Sequence, residues 1–333
     1  MRPGVAWMMS IPLSLLDRSR IRQGESDAGA LHQTVERARH AEAAGYHRFW
    51  VSEHHGVPGV ASGTPALLAQ AVAAATRSIR VGSGGVMLPN HRPLVVAEEF
   101  AVLTALHGQR FDLGLGRSLG FTEPVRRALG TMSAPPKDFA SAIEAVREYL
   151  TGRADITMRP AHNGHIPLFV LGTGSGLKIA ARLGLPAVVG GPLLTAGPEA
   201  FDEYRSTFCP SEQLDEPYLI ASTEIFVADS PSEARELSLP EAWAMSESRL
   251  TGAFPPLEPT TSLPDSLTQR QQRNVAKALA PVIAGTEDQV LSAISELLVR
   301  TGADEIMSTA STFDTTALYT SDARLAAAVA ATL

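Results

Sequence analysis

The chain has 333 residues, a net charge of −7, 44% hydrophobic residues and 19% charged residues. That apolar content supplies a core and argues against wholesale disorder. The acidic balance, with no basic block, argues against a nucleic-acid surface that tracks phosphates. A single cysteine, Cys209, excludes an intrachain disulfide and a cysteine-rich zinc site, and points to a reducing, cytoplasmic setting. No apolar run reaches about 18 residues, so no transmembrane helix is expected.

The first apolar stretch, 5–16 after Arg2, has the outline of a signal-peptide core. Pro12 interrupts it, charges follow at 17–20, and a small-residue cleavage pattern is missing. Residues 5–9 are therefore read as the first buried strand. A helix follows over 31–44, stopped by Gly45. A strand is expected at 48–53, and a helix at 64–75 with Thr64 as cap and Pro65 in its first position. The alternation continues with strands at 79–83, 110–114, 167–171, 187–190, 218–227 and 305–308. Helices lie between and after them at 93–106, 136–150, 176–183, 198–207, 231–248 and 318–331. Strands alternating with helices imply a parallel sheet with right-handed crossovers. Eight such units predict a (β/α)8 TIM barrel in one domain spanning 1–333, with a doubly wound open sheet as the alternative. Only 249–272 breaks the rhythm, with Pro255, Pro256, Pro259 and Pro264 among Thr and Ser. It reads as an irregular insertion, a lid or a passive surface loop.

Four segments carry candidate chemistry. In Trp50-Val51-Ser52-Glu53-His54-His55, alternation sends Phe49 and Val51 outward and Trp50, Ser52 and His54 inward. His54 then projects into the mouth, where barrel enzymes build their sites. A pair of hydrogen-bonded structural histidines is the bland alternative. Adjacent His54 and His55 cannot share one metal on a regular strand, and no HExxH pattern exists, so no metal is expected. The strand exit 82–91 carries Gly82, Gly84 and Gly85 and then Met87, which implies a bulge or close approach of a flat ligand. In 110–117, Asp112, Gly114 and Gly116 face inward. Paired glycines there leave space that a packed core would fill, and Arg117 follows at the rim, either as a phosphate contact or as an ordinary surface arginine. Finally Gly172-Thr173-Gly174-Ser175-Gly176 joins a strand to a helix, where backbone N–H groups can bind phosphate. It is neither a full dinucleotide fingerprint nor a Walker A loop. No nucleophile elbow is present.

The blocks FWVSEHH, IRVGSGGVMLPNHRPLVVAEEF, RFDLGLGRS and LGTGSGLKIAARLGLP together resemble the bacterial luciferase-like flavin-dependent monooxygenases. Their order and spacing fit over nearly the whole chain. The resemblance implies a (β/α)8 barrel that binds reduced FMN (FMNH2) at the C-terminal ends of its strands. It places His54 beside the flavin, for chemistry at the C4a position. It puts a non-prolyl cis peptide at about Gly84–Gly85, with Met87 beside it. It assigns the phosphate to Arg117 and to the loop Gly172, Thr173, Gly174, Ser175 and Gly176, with Lys137 as a more distant basic contact. It further implies a partner NAD(P)H-dependent flavin reductase, dioxygen adding at C4a to give a flavin peroxide, oxygenation of an organic substrate, and a homodimer. Gly116 stands where the light-emitting luciferase subunit carries a reactive cysteine, so light emission is not expected. Two other readings stay open: hydride transfer with the deazaflavin F420, and a non-catalytic flavin-binding protein, which retention of His54 disfavours. The Ala- and Arg-rich composition hints at a GC-rich genome and natural-product tailoring.

Overall fold

The computed structural model describes residues 11–161, 165–172, 174–264 and 266–332. Its first half runs β1 (Leu13–Asp17), α1 (Asp27–Ala43), β2 (Arg48–Val51), α2 (Pro65–Ala75), β3 (Arg80–Met87), α3 (Pro93–His107), β4 (Phe111–Gly116), α4 (Glu123–Leu129) and α5 (Pro136–Thr151). The second half runs β5 (Leu168–Leu171), α6 (Ser175–Leu183), β6 (Ala187–Gly190), α7 (Glu199–Ser206), β7 (Leu219–Thr223), β8 (Ile225–Val227), α8 (Pro231–Thr251), α9 (Gln269–Leu279), β9 (Ile283–Gly285), α10 (Glu287–Thr301), β10 (Glu305–Ser308) and α11 (Thr315–Ala330). Strands β1, β2, β3, β4, β5, β6, β7 and β10 close a barrel, and every pairing between neighbours is parallel. The expected barrel is thus present, and the open-sheet alternative is not.

The period-2 alternation sorts the strand residues into two environments. Phe49, Val51, Leu113 and Leu115 point outward into the main core, beneath helices that include α2 and α3. Trp50, Leu16, Phe169, Val188, Ile220 and Met307 point inward and fill the middle of the barrel. Burying such side chains contributes roughly 1.5–3 kcal/mol each, which holds the ring of helices to the barrel. Below the apolar layer lies a charged one. Arg48 binds Glu305 (2.8 Å) and Asp112 (2.7 Å), Arg80 binds Asp112 (2.9 Å), and the Tyr218 hydroxyl donates to Glu305 (2.8 Å). Ser14 also donates to Glu305.

The structure corrects several boundaries. The expected strand at 5–9 lies outside the described residues, and Leu13–Asp17, directly after Pro12, takes the first barrel position. The strand expected over 218–227 is two: β7 belongs to the barrel, and β8 leaves it at Glu224 to pair with β9 in a separate two-stranded sheet. The irregular insertion is shorter than 249–272, because α8 runs on to Thr251 and α9 begins at Gln269. Helices α4, α9 and α10 and strand β9 have no counterpart in the sequence reading. The first of these, α4, fills part of the long connection between β4 and α5. Among the described residues, no helix is long and apolar enough to cross a membrane.

Candidate active site

The C-terminal ends of the barrel strands surround a cavity of about 620 Å3. Its floor is poor in side chains: Gly84, Gly85, Gly116, Gly172 and Gly190 all line it, with Leu16, Met87 and Val188 between them. Three of these glycines are set by packing, and a Cβ on Gly190 would lie 2.8 Å from the Ser222 carbonyl oxygen. A Cβ on Gly84 would lie 2.5 Å from Leu16 Cδ1, and one on Gly85 would lie 2.8 Å from the Gly114 carbonyl oxygen. The Gly84–Gly85 peptide is cis, and the register between β3 and β4 shifts there, between Ser83 and Val86. Gly116 differs, since the nearest atom to an added Cβ is Val86 O at 3.7 Å, an ordinary van der Waals contact that a methyl would make without a clash.

His54 lines the same cavity. Beyond β2 the chain keeps Ser52 and His54 on the inward side. The His54 N–H donates to Ser62 O (2.8 Å), and the Ser62 hydroxyl donates to Ser52 O, which fixes the strand exit against the following loop. His54 Nδ1 sits 3.2 Å from Ser52 Oγ, and the ring stacks on Phe121 with centroids 5.7 Å apart. Phe121 in turn meets Phe254 edge-on at 4.9 Å. Phe254 belongs to the insertion after α8, so that segment packs over the mouth beside His54. Burial, followed by the positive charges of Arg18 and Arg20, pushes the His54 imidazole down to about 4, against the opposing pull of Glu241 and Glu53. His54 is therefore neutral near pH 7.

Glu53 also borders this cavity and joins two strand exits. Its Oε1 lies 2.7 Å from His55 Nε2 and 2.8 Å from His91 Nε2, while its Oε2 accepts from the Met87 N–H at 2.9 Å. Burial alone would raise this carboxyl, but the hydrogen bonds from His55, His91 and Met87 outweigh it and hold Glu53 at about 2. The bond to Glu53 correspondingly raises His91. These three side chains bring their ligand atoms within 4.8 Å of one another, a spacing that a metal ion could use. Both imidazoles aim at one carboxylate oxygen, however. In this structure the three donors are engaged in hydrogen bonds with one another. The sequence reading missed this cluster, because His91 lies far along the chain and no local spacing announces it.

Next to Gly116, at the cavity edge, Arg117 donates to Ala134 O (2.8 Å) and to Ser175 Oγ (3.1 Å). Ser175 opens α6, and its N-cap Gly174, at φ +53°, offers no side chain to the first-turn N–H groups. Gly176 is buried in that first turn. Arg117 and the α6 N-terminus thus bring N–H donors together next to Gly172, but Arg117, Gly174, Ser175 and Gly176 do not themselves line the cavity. Thr173 lies outside the described residues. Lys137 is exposed on the first turn of α5 and does not line the cavity.

A family model, luciferase-like monooxygenase, matches residues 11–305. The chain belongs to the luciferase-like monooxygenase family. A luciferase-like monooxygenase of Escherichia coli (strain K12) is 35% identical over 316 residues, 92% of this chain and 93% of that protein. The crystal structure of apo-MsnO8 superposes with a TM-score of 0.85 at 31% identity, covering 96% of this chain and 98% of that one. The oxygenating constituent of 3,6-diketocamphane monooxygenase from Pseudomonas putida, solved with FMN, shares the fold with a TM-score of 0.72 at 15% identity, covering 97% and 99%. As a luciferase-like monooxygenase, the chain has its glycine-lined cavity at the barrel end where this architecture builds active sites.

Proposed function

We propose that the chain is the oxygenase component of a two-component, FMN-dependent monooxygenase that oxygenates an organic substrate. What supports this reading is a side-chain-poor cavity beside His54 that is walled on one side by Gly116 and Gly172, the neighbours in sequence of Arg117 and of the α6 N-terminus. A flat ring with a phosphate tail fits that shape and charge. The space left by Gly116 and the close-packed Gly84–Gly85 floor are a cradle that side chains would fill. Bound reduced FMN supplies the electrons that activate dioxygen. Arg117, Ser175 and the first-turn N–H groups of α6 hold the phosphate, with Lys137 as outer electrostatic support. His54, kept neutral and stacked on Phe121, presents its imidazole to the reacting end, where it donates a hydrogen bond or accepts a proton. Phe121 and Phe254 shield that end from water.

No nicotinamide fingerprint occurs in the sequence, so a separate NAD(P)H-dependent flavin reductase is the proposed source of reduced FMN. A natural-product substrate is proposed on composition, and a relative 26% identical, 4-hydroxyprotoasukamycin monooxygenase of Streptomyces nodosus subsp. asukaensis, is in keeping with it. A homodimer is proposed as well. Leu67 of α2 (71% exposed) and Leu106 of α3 (66%), with Val95 and Val102, leave an apolar stripe on two neighbouring helices that a second copy would cover. The lone, exposed Cys209 suits a cytoplasmic setting.

The test is anaerobic titration with photoreduced FMN, followed by mixing with oxygenated buffer. Micromolar binding and a transient absorbance that free reduced FMN does not show are the expected results. Tight binding of F420 with none of FMN would replace this reading by hydride transfer. FMN binding that neither retards reoxidation nor supports turnover with any substrate would leave a flavin carrier.

A further inference from the structure

Among the described residues, the cavity of about 620 Å3 has one arginine in its lining, Arg126 of α4. The other charged group there is Glu53, whose oxygens are already engaged with His55, His91 and the Met87 N–H. Helix α4 is anchored at the His54 side of the mouth. Val125 occupies a notch left by two glycines: a Cβ on Gly56 would lie 2.6 Å from Val125 Cγ2, and one on Gly120 would lie 2.7 Å from Val125 Cγ1. Gly56 follows His54 and His55 directly, so this contact holds α4 against the exit of β2. Phe121, just before α4, completes the placement by stacking on His54.

The Arg126 guanidinium is only half committed. Its Nη1 donates to Gly120 O (2.9 Å) and Phe121 O (3.2 Å), which fixes the side chain along the cavity wall. Its Nε and Nη2 have no hydrogen bond among the described residues, and the half-buried side chain leaves them within reach of solvent. Glu123 on the same helix pairs with Arg127 at 2.5 Å, and among the described residues no carboxylate pairs with Arg126. Nε and Nη2 lie on one edge of the planar group, with their N–H bonds side by side. That edge matches the two oxygens of a carboxylate, and such charge-assisted bonds are roughly twice as strong as neutral ones. A hydroxyl engages it less well, and an ammonium is repelled. Much of the remaining wall is apolar, with Leu16, Met87, Leu119, Leu171 and Val188.

We propose that Arg126 recognises the carboxylate of an organic acid whose apolar chain lies in this cavity, with Nε and Nη2 donating to its two oxygens. The identification of this acid as the substrate rests on the oxygenase reading; the carboxylate site itself does not. Under that reading the acid group is held at the α4 side, which leaves the chain, not the acid group, to react. Helix α4, an addition to the alternating barrel pattern, then selects the substrate by charge.

The experiment titrates octanoate, octan-1-ol and octylammonium into the full chain by calorimetry at neutral pH, with and without FMN. Octanoate, ionised there, is expected to bind at least tenfold more tightly than the alcohol or the amine. Arg126→Gln is expected to bring octanoate down to the level of octanol, while the affinities for octanol and FMN hold. Arg126→Lys keeps the charge and loses the fork, and is expected to weaken octanoate at least threefold; it decides if the glutamine variant does not fold. Octanoate binding no tighter than octanol in the unaltered protein overturns the proposal without any variant. So does an Arg126→Gln protein that binds octanoate normally. Equal losses for octanoate and octanol would show that Arg126 only holds Phe121 in place, and a loss for FMN that spares riboflavin would assign Arg126 to the phosphate; either overturns the carboxylate site. Arg126-dependent octanoate binding without FMN binding would sink the oxygenase reading and leave the site standing. FMN binding with no preference for octanoate would do the reverse.

Discussion

The two ends of the barrel interior are built from the same strands and differ in what occupies them. At the N-terminal end, Arg48, Arg80, Asp112, Glu305 and Tyr218 satisfy one another, and Asp112 and Glu305 are fully buried. At the C-terminal end, the inward positions of the same strands are Ser52, Gly84, Gly116, Gly190 and Ser222, and a cavity of about 620 Å3 results. Trp50 and its apolar neighbours separate the two. A closed charge network pins register and shape, whereas a layer of glycines leaves room for a ligand. Stability and chemistry are thus assigned to opposite ends of one barrel.

Substitutions at the two ends should therefore fail in different ways. The largest expected effect is on chemistry: His54→Ala should lower reductase-coupled turnover by about 10²–10⁴-fold while moving the melting temperature little. A loss smaller than tenfold in steady-state assays would remove His54 from the reaction. At the other end, Asp112→Ala strands Arg48, Arg80 and the Trp50 indole N–H. It should cost about 3–5 kcal/mol in denaturant unfolding, and any protein that stays folded should keep its FMN affinity. Glu53→Gln tests the seam between chemistry and scaffold. It removes the charge that holds His55, His91 and the Met87 N–H, and should cost about 2 kcal/mol together with a measurable loss of FMN affinity. Unchanged FMN affinity would make the cluster purely structural. Gly116→Ala is milder. Its Cβ would make an ordinary contact with Val86 O, so stability should change by less than about 1 kcal/mol, while FMN binding weakens roughly tenfold, about 1.4 kcal/mol.

A separate test is in pH. His54 is held down to about 4 against an ordinary 6.5, so the unfolded chain takes up its proton first as pH falls. Its contribution to stability is complete above about 6.5 and is lost as pH drops toward 4. Glu53, held at about 2, works lower: its contribution is present above about 4.5 and is lost as pH falls through 2. An NMR titration of the His54 ring with its midpoint near 4 is expected. A midpoint near 6.5 would show that the imidazole is exposed and that Phe121 does not cover it.

Much of this was legible in the chain alone. Strand alternation placed Trp50, Ser52 and His54 inside and Phe49 and Val51 outside, because a period of two leaves a strand no other choice once one side faces helices. Glycine runs marked the strand exits that line the cavity, and the glycine-rich turn 172–176 marked a strand-to-helix junction, while its contact with Arg117 came only from the structure. Some local signals were present but unread. Thr286 and Gln289 form a capping box before the buried positions Val290, Ile294, Leu297 and Leu298 of α10, and Ser26 caps α1 ahead of the expected start. The three-residue strands β8 and β9 carry no period to read. What only the tertiary structure decided are the meetings across the chain: Glu53 with His91, Phe121 with Phe254, and Arg18 with Glu224 and Glu241. Local sequence sets backbone period and facing. Barrel closure and the packing of α8 over its mouth set which distant charges share a buried volume, and there their ionisation and open hydrogen bonds are determined.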